Sequence, residues 1–361
     1  MMLLLQQLSK TQVHHRGVQA RFFTNLCLIL FIYLSPLLSF LVWPGPDMLY
    51  MCLLILSVFL FFEHKTFLAA CTVAVASWHS QPLAAMAVLY GLYFAFEQYK
   101  LQKREGKIPD AHTYWKLICV VVLVSIPYLY NLYAFGVLTP WTKFENGWTQ
   151  LYGFGIHNAS IQKLFEQFFD LNIGLFWYMP VLFALGLYGY VKEALKNKHA
   201  QFTGVVFLIT AFLFQTNPAW HYGTAGYGPG HHALFAIAFF IYFGLVYIVT
   251  TKKSGYVLLA LFIAAQLYVH SFNGWATPDF TKVLEHSPYA KLVLNKAPYL
   301  YNPTPEIFVD RTTHTDIDRP TSAVYMYDKT CKKAYVLASD RAMVENMCGN
   351  VPETYQGVLD N

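Results

Sequence analysis

Apolar residues run in long stretches along this chain, and polar ones gather between them. Runs at Phe22–Trp43, Met48–Phe62, Leu83–Phe96, Leu117–Phe135, Gly174–Val191, Phe202–Gln215, His232–Val249 and Tyr256–Val269 contain no Lys, Arg, Asp or Glu. A helix needs about 20 apolar residues to cross a bilayer, and only a helix satisfies its own backbone within lipid as a single segment. The pattern predicts an all-α polytopic membrane protein with about nine membrane helices. The ninth is the run Phe67–Trp78, which is short for a full span and reads as half-inserted.

The pattern changes near Ser271, where the chain becomes polar. Phe280–Leu294 reads as an amphipathic helix interrupted at Pro288, and Tyr301-Asn302-Pro303-Thr304-Pro305 as a turn or extended segment. Ala323–Tyr327 and Lys332–Ala338 read as a hairpin around Asp328-Lys329, and Asp340–Cys348 as a short helix ending at Gly349. The expected organisation is a cytoplasmic N-terminus over 1–21 and a helical domain over 22–271 with outside loops at 136–173 and 217–231. A small α+β extracytoplasmic module follows over 272–361. Within the first loop, Ile161, Leu164, Phe165, Phe168 and Phe169 share one face of a helix. That helix suits either the outer membrane surface or the tops of other helices.

Composition and charge sharpen the picture. Only 12% of the 361 residues are charged, against about 25% in soluble domains. Lys10, Arg16, Arg21, Lys65, Lys100, Lys103, Arg104, Lys107, Lys116, Lys192, Lys196, Lys198, Lys252 and Lys253 fall in the N-terminus and in loops on one side. The short loops of the other side hold only Lys143 and Lys163. The positive-inside rule then places the N-terminus in the cytoplasm, and nine crossings place the C-terminus outside. The net charge of +5 is a topology signal and carries no implication of nucleic acid. Cys27, Cys52, Cys71 and Cys119 lie in apolar runs as small core residues. Cys331 and Cys348 lie in the outside tail, an oxidising setting in which a pair bridges, contributing about 3 kcal/mol in the chain-entropy model.

Acidic groups near membrane depth are costly and draw functional attention. Asp47 sits in Trp43-Pro44-Gly45-Pro46-Asp47 and Asp170 in Phe169-Asp170-Leu171-Asn172, both on the outside. Each could equally cap a helix. The loop Asn217–His232 has no charged residue except histidine and offers Trp220, His221, Tyr222, Tyr227 and His231 to a ligand. Its histidines, with His157, read either as a metal or general-base cluster or as hydrogen-bonded interfacial groups. No spacing approaches a zinc signature, so no metal ligand is assigned. Trp220, Tyr222 and Tyr227 suit an interfacial belt and also sugar stacking. The sequon Asn158-Ala159-Ser160 lies on the same side.

The stretch Phe168-Phe169-Asp170-Leu171-Asn172-Ile173-Gly174-Leu175-Phe176-Trp177-Tyr178-Met179-Pro180 resembles a motif of bacterial GT-C-type membrane glycosyltransferases. Gly226-Tyr227-Gly228-Pro229-Gly230-His231-His232 resembles their glycine-rich outside loop. The pair of short helices around Ser77-Trp78-His79-Ser80-Gln81-Pro82 and the Ser35-Pro36 break before Asp47 are similar too. The resemblance spans roughly Phe22 to Val269, with Tyr301–Phe308 in the tail.

It implies a multi-pass protein of the bacterial inner membrane and a polyprenyl-phosphate-sugar donor, with inverting transfer on the outer face. Asp47 is then an acceptor-activating base or the acid beside a divalent metal, and Asp170 lines the same site. The chain departs from the family in its first outside loop, which is only Pro44-Gly45-Pro46-Asp47. It also carries Gly230 where an arginine often stands. The other readings are a non-catalytic scaffold binding lipid-linked saccharide or a partner protein, and thirdly a transporter.

Overall fold

The computed structural model of the chain describes residues 18–41, 45–106, 111–138, 155–216, 228–251, 253–273, 280–315, 324–327, 332–336 and 346. Within the described residues every apolar run of the sequence is mainly helical. Helices α1 (Val18–Leu34), α2 (Asp47–Phe62), α3 (Thr66–Ala76), α4 (Leu83–Arg104) and α5 (Ala111–Phe135) make the first half. A second group comprises α6 (Ile161–Phe169), α7 (Leu175–Tyr178), α8 (Pro180–Ala194), α9 (Lys198–Phe214), α10 (Leu234–Thr250) and α11 (Lys253–Asn273). The tail adds α12 (Pro288–Lys296), α13 (Pro305–Thr313) and strands β1 (Val324–Met326) and β2 (Ala334–Val336).

Of the nine spans expected, length and apolarity support three among the described residues: Ala111–Phe135, His231–Thr250 and Ser254–Asn273. Helices α2, α3 and α9 have 16, 11 and 17 residues. At 1.5 Å per residue they rise about 24, 16 and 26 Å, less than the ~30 Å of hydrocarbon. Two other runs are cut by local breaks. Ser35-Pro36 ends α1, and the run Gly174–Val191 divides at Met179 into α7 and α8.

A break within an apolar bundle frees backbone carbonyls, and without water they need donors from neighbouring helices. Each break has one. His270 on α11 meets the Leu34 carbonyl at 2.8 Å, and Gln266 donates to the Tyr178 carbonyl at 2.7 Å. Pro127 inside α5 has no N–H, so the Leu123 carbonyl loses its usual partner. The Trp78 indole donates to that carbonyl at 2.8 Å.

Helix α10 is the buried axis, with Leu234 to Leu245 enclosed throughout. Helix α8 approaches it through small residues, the packing that lets apolar helices come close. A Cβ on Gly186 would sit 2.7 Å from the Phe240 Cα, and one on Gly189 would run into the Phe243 carbonyl oxygen. Helix α5 is the opposite case. It too is apolar enough to span a membrane, yet Val121, Leu129 and Tyr133 stand exposed, a face suited to lipid.

The tail follows its expected outline and refines where its helices begin. The expected interruption is present, with a short 3₁₀ helix at Phe280–Leu284 and a new helix, α12, from Pro288. Pro fits the first helical position, and Ser287 Oγ accepts the Ala290 N–H at 3.1 Å. Pro305 opens α13 without a side-chain cap, and Tyr301–Thr304 before it is non-helical, in keeping with the turn or extended segment expected there. The hairpin is present, with Val324 opposite Val336 and Tyr325 opposite Tyr335, antiparallel. Ala290, Leu294, Tyr301, Phe308, Val309 and Tyr325 form the module's small core. Cys331, Cys348 and nearly all of Asp340–Cys348 lie outside the described residues. On α6 the apolar face divides: Phe168 is buried, Leu164 and Phe169 pack on the bundle, and Ile161 and Phe165 face outward.

Candidate functional site

Two acidic centres occupy one end of the bundle. Asp47 is the first residue of α2, where the helix dipole favours a negative charge. It is buried, and its Oδ1 lies 3.1 Å from His79 Nε2. His79 comes from the α3–α4 turn, which the neighbouring Trp78 anchors to α5. The His79 ring packs on Tyr50, centroids 5.1 Å apart, and its side chain stays 36% exposed. A buried carboxylate paired with a half-open imidazole can orient the ring and stabilise its protonated form, the base–orienter arrangement of general-base sites.

His231 is a second histidine close to this acid. It lies near enough to Asp47 for their charges to interact, and its ring centroid is 5.0 Å from that of Phe40. His232 turns the other way, onto Phe214 at 5.5 Å. The sequence assigned His231 to substrate binding, and the structure sets it beside Asp47. Trp220, His221, Tyr222 and Tyr227 lie outside the described residues. His79 is the residue that sequence reasoning passed over. Its signal was available, since a buried carboxylate needs a donor and Ser77–Pro82 holds a histidine at the same end.

Asp170 belongs to a different arrangement. Oδ1 accepts the N–H groups of Asn172 at 2.7 Å and Ile173 at 2.9 Å, and Oδ2 accepts the Tyr301 hydroxyl at 2.8 Å. Asn172 donates to the Tyr301 oxygen at 2.6 Å, and its Oδ1 accepts the Ser287 N–H at 2.8 Å. Its Nδ2 also lies 3.3 Å from His286 Nδ1, while His286 Nε2 is 3.1 Å from Thr312 Oγ1. Tyr178 donates to the Asn172 carbonyl. Gly174 admits no side chain here, because a Cβ would strike the Asp170 backbone. The result is a sealed polar knot joining the α6–α7 turn to the C-terminal module.

Burial raises the Asp170 carboxyl, against the lowering pull of the Ile173 N–H, the Tyr301 hydroxyl, the Asn172 N–H and the Arg311 charge. The Tyr301 hydroxyl is pushed well up by burial and then by the Asp170 charge. Burial, reinforced by Arg311, brings His286 down to about 3, so its ring is neutral at neutral pH. Glu166, one turn before Asp170, rises to about 7, first through burial.

The two centres meet through the backbone. The Gly230 N–H donates to the Ile173 carbonyl at 2.9 Å, and His231 beside Asp47 follows directly. Gly230 thus spends its N–H on the Asp170 turn. The sequon asparagine is also occupied: Asn158 is buried and donates to the Thr216 carbonyl at 3.1 Å. Comparison with protein families, curated proteins and solved structures finds no match.

Proposed function

We propose that the protein is a GT-C-like membrane glycosyltransferase that moves a sugar from a lipid-linked donor to a hydroxyl acceptor at the Asp47 end. The observation that carries this reading is the Asp47–His79 pair at 3.1 Å, one member buried and the other partly open. In the reaction His79 takes the acceptor's proton as its oxygen attacks the anomeric carbon. The bond from that carbon to the donor phosphate breaks, and the phosphate leaves with the electron pair. Asp47 stabilises the imidazolium that forms. A positioned base of this kind contributes about 10²- to 10⁴-fold.

His231 and the aromatic residues of 217–231 hold the sugar, and Asp170 positions the loop through Ile173 and Gly230. In the same reading nine helices lie in a bacterial inner membrane with the N-terminus cytoplasmic. The Asp47 end and the tail are then outside, where Cys331 and Cys348 bridge.

The test is Asp47→Asn and His79→Ala in the full chain, reconstituted with a polyprenyl-phosphate sugar and an acceptor. Both variants insert normally and lose transfer. Full activity in Asp47→Asn would sink the assignment. Saturable binding of the lipid-linked sugar with no transfer or hydrolysis by the unaltered protein would instead establish the scaffold reading.

A further inference from the structure

Helix α2 carries the chain about 24 Å away from Asp47, and a second side-chain cluster gathers at that far end. The α2–α3 turn is Glu63-His64-Lys65. The His64 N–H donates to the Phe61 carbonyl at 3.1 Å and the Lys65 N–H to the Leu60 carbonyl at 2.9 Å. These two bonds define a Schellman ending, whose left-handed position usually holds glycine. Here it holds His64, at φ 59°. Glycine would serve the turn at less strain, so what the chain gains at this position is an imidazole.

That imidazole meets two other groups. Glu97 comes from α4 and His199 from the first turn of α9. His64, Glu97 and His199 each offer one ligand atom, and all three atoms lie within 4.8 Å of one another. The two rings have centroids 4.7 Å apart and stand at 83°, so they converge without stacking. Glu97 is aimed by a neighbour: its Oε2 accepts the Thr66 hydroxyl at 2.8 Å, and its Oε1 lies 3.9 Å from His199 Nε2. Metal sites use such outer hydrogen bonds to fix a ligating carboxylate.

His199 is the clearest sign. Its Nε2 stands beyond hydrogen-bond length from Glu97, and its Nδ1 is buried with no hydrogen-bond partner among the described residues. Phe61 and Tyr93 wall the ring at 5.6 and 5.3 Å. Lys65, in the same turn as His64, pairs with Glu63 at 3.0 Å.

We propose that His64, Glu97 and His199 bind one divalent first-row transition ion, zinc being the class that fits. Two imidazole nitrogens and one carboxylate oxygen match its ligand preferences and leave a fourth position open to water. Bonds of about 2.1 Å place tetrahedral ligand atoms roughly 3.4 Å apart, so the cluster closes by about an ångström on binding. The exposed His64 side chain supplies that movement. The ion ties the α2–α3 turn, α4 and α9 together at the end away from Asp47, independently of any transfer chemistry.

The experiment uses the full chain with a histidine-free affinity tag, stripped with chelator in detergent and titrated with Co²⁺ and then Zn²⁺. One equivalent of Co²⁺ binds with a visible d–d spectrum, and Zn²⁺ displaces it. His199→Ala and Glu97→Gln weaken binding by about 100-fold or more, and Thr66→Val by about 10-fold. His64→Gly is the decisive variant, because glycine suits the turn and folding is retained. Zinc raises Tm in the unaltered protein by mass action and leaves Tm unmoved in His64→Gly. Absence of stoichiometric Co²⁺, or equal binding and equal zinc shifts in His64→Gly, would overturn the site.

Discussion

Asp47 and Asp170 are both acidic, both buried, and both lie at one end of the bundle, yet their surroundings differ. Asp170 has donors on both oxygens, and they come from backbone, tyrosine and a turn locked by Gly174. Asp47 spends Oδ1 on a histidine that remains partly open. A carboxylate enclosed by fixed donors holds structure together, whereas one that backs a half-exposed imidazole can take part in proton transfer. Burial alone does not separate the two roles. The exposure of the partner does.

The strongest way to break this contrast is to remove each acid. Asp47→Asn keeps size and the hydrogen bond to His79, and transfer falls about 10²- to 10⁴-fold, about 3 to 5 kcal/mol in the barrier. Its Tm in detergent stays within a few degrees of the unaltered protein. Asp170→Ala does the reverse, costing about 2–4 kcal/mol of stability by stripping several buried hydrogen bonds. Thermal unfolding followed by circular dichroism reads that loss. If Asp170→Ala stays stable and loses only activity, the contrast fails.

A pH series sharpens the same division. The raised carboxyl of Glu166 binds its proton more tightly in the folded protein than in the unfolded chain. The stability it contributes is full below about 4.5 and is lost as pH rises through about 7. Tm measured across that window falls with pH, and Glu166→Gln flattens this part of the profile. An unchanged slope in the variant would assign it to another group.

The smallest effect is expected at Trp78→Phe. It leaves the Leu123 carbonyl beside Pro127 without its indole donor, at about 1 kcal/mol. The same change loosens the turn that carries His79, so transfer drops more than stability does. Equal small losses in both would mean that the turn is held by other contacts.

Most of the helices were legible in the sequence because lipid and a buried bundle ask for the same thing, a long apolar run. Their ends were less so. Pro288 and Pro305 read as breakers and act as first residues of helices, since proline's missing N–H is harmless only there. Asp47, Asp170 and His231 were legible as polar groups stranded in apolar surroundings. His79 was not singled out, because a lone histidine in a short turn has no periodic signature. The cluster of His64, Glu97 and His199 was still harder to foresee: its members are 33 and 102 positions apart in sequence, as the spacing from 64 to 97 and from 97 to 199 shows.

By itself, then, the chain's apolar and polar pattern determined that it is helical, where its apolar helices lie, and that a small polar module with a hairpin follows them. Those are local properties, set by runs and turns of neighbouring residues. Tertiary structure decided which acid is sealed and which is open, how each broken helix recovers its hydrogen bonds, and which distant histidines face one carboxylate. These depend on atoms brought within a few ångströms from separate helices, and no one-dimensional pattern specifies that distance.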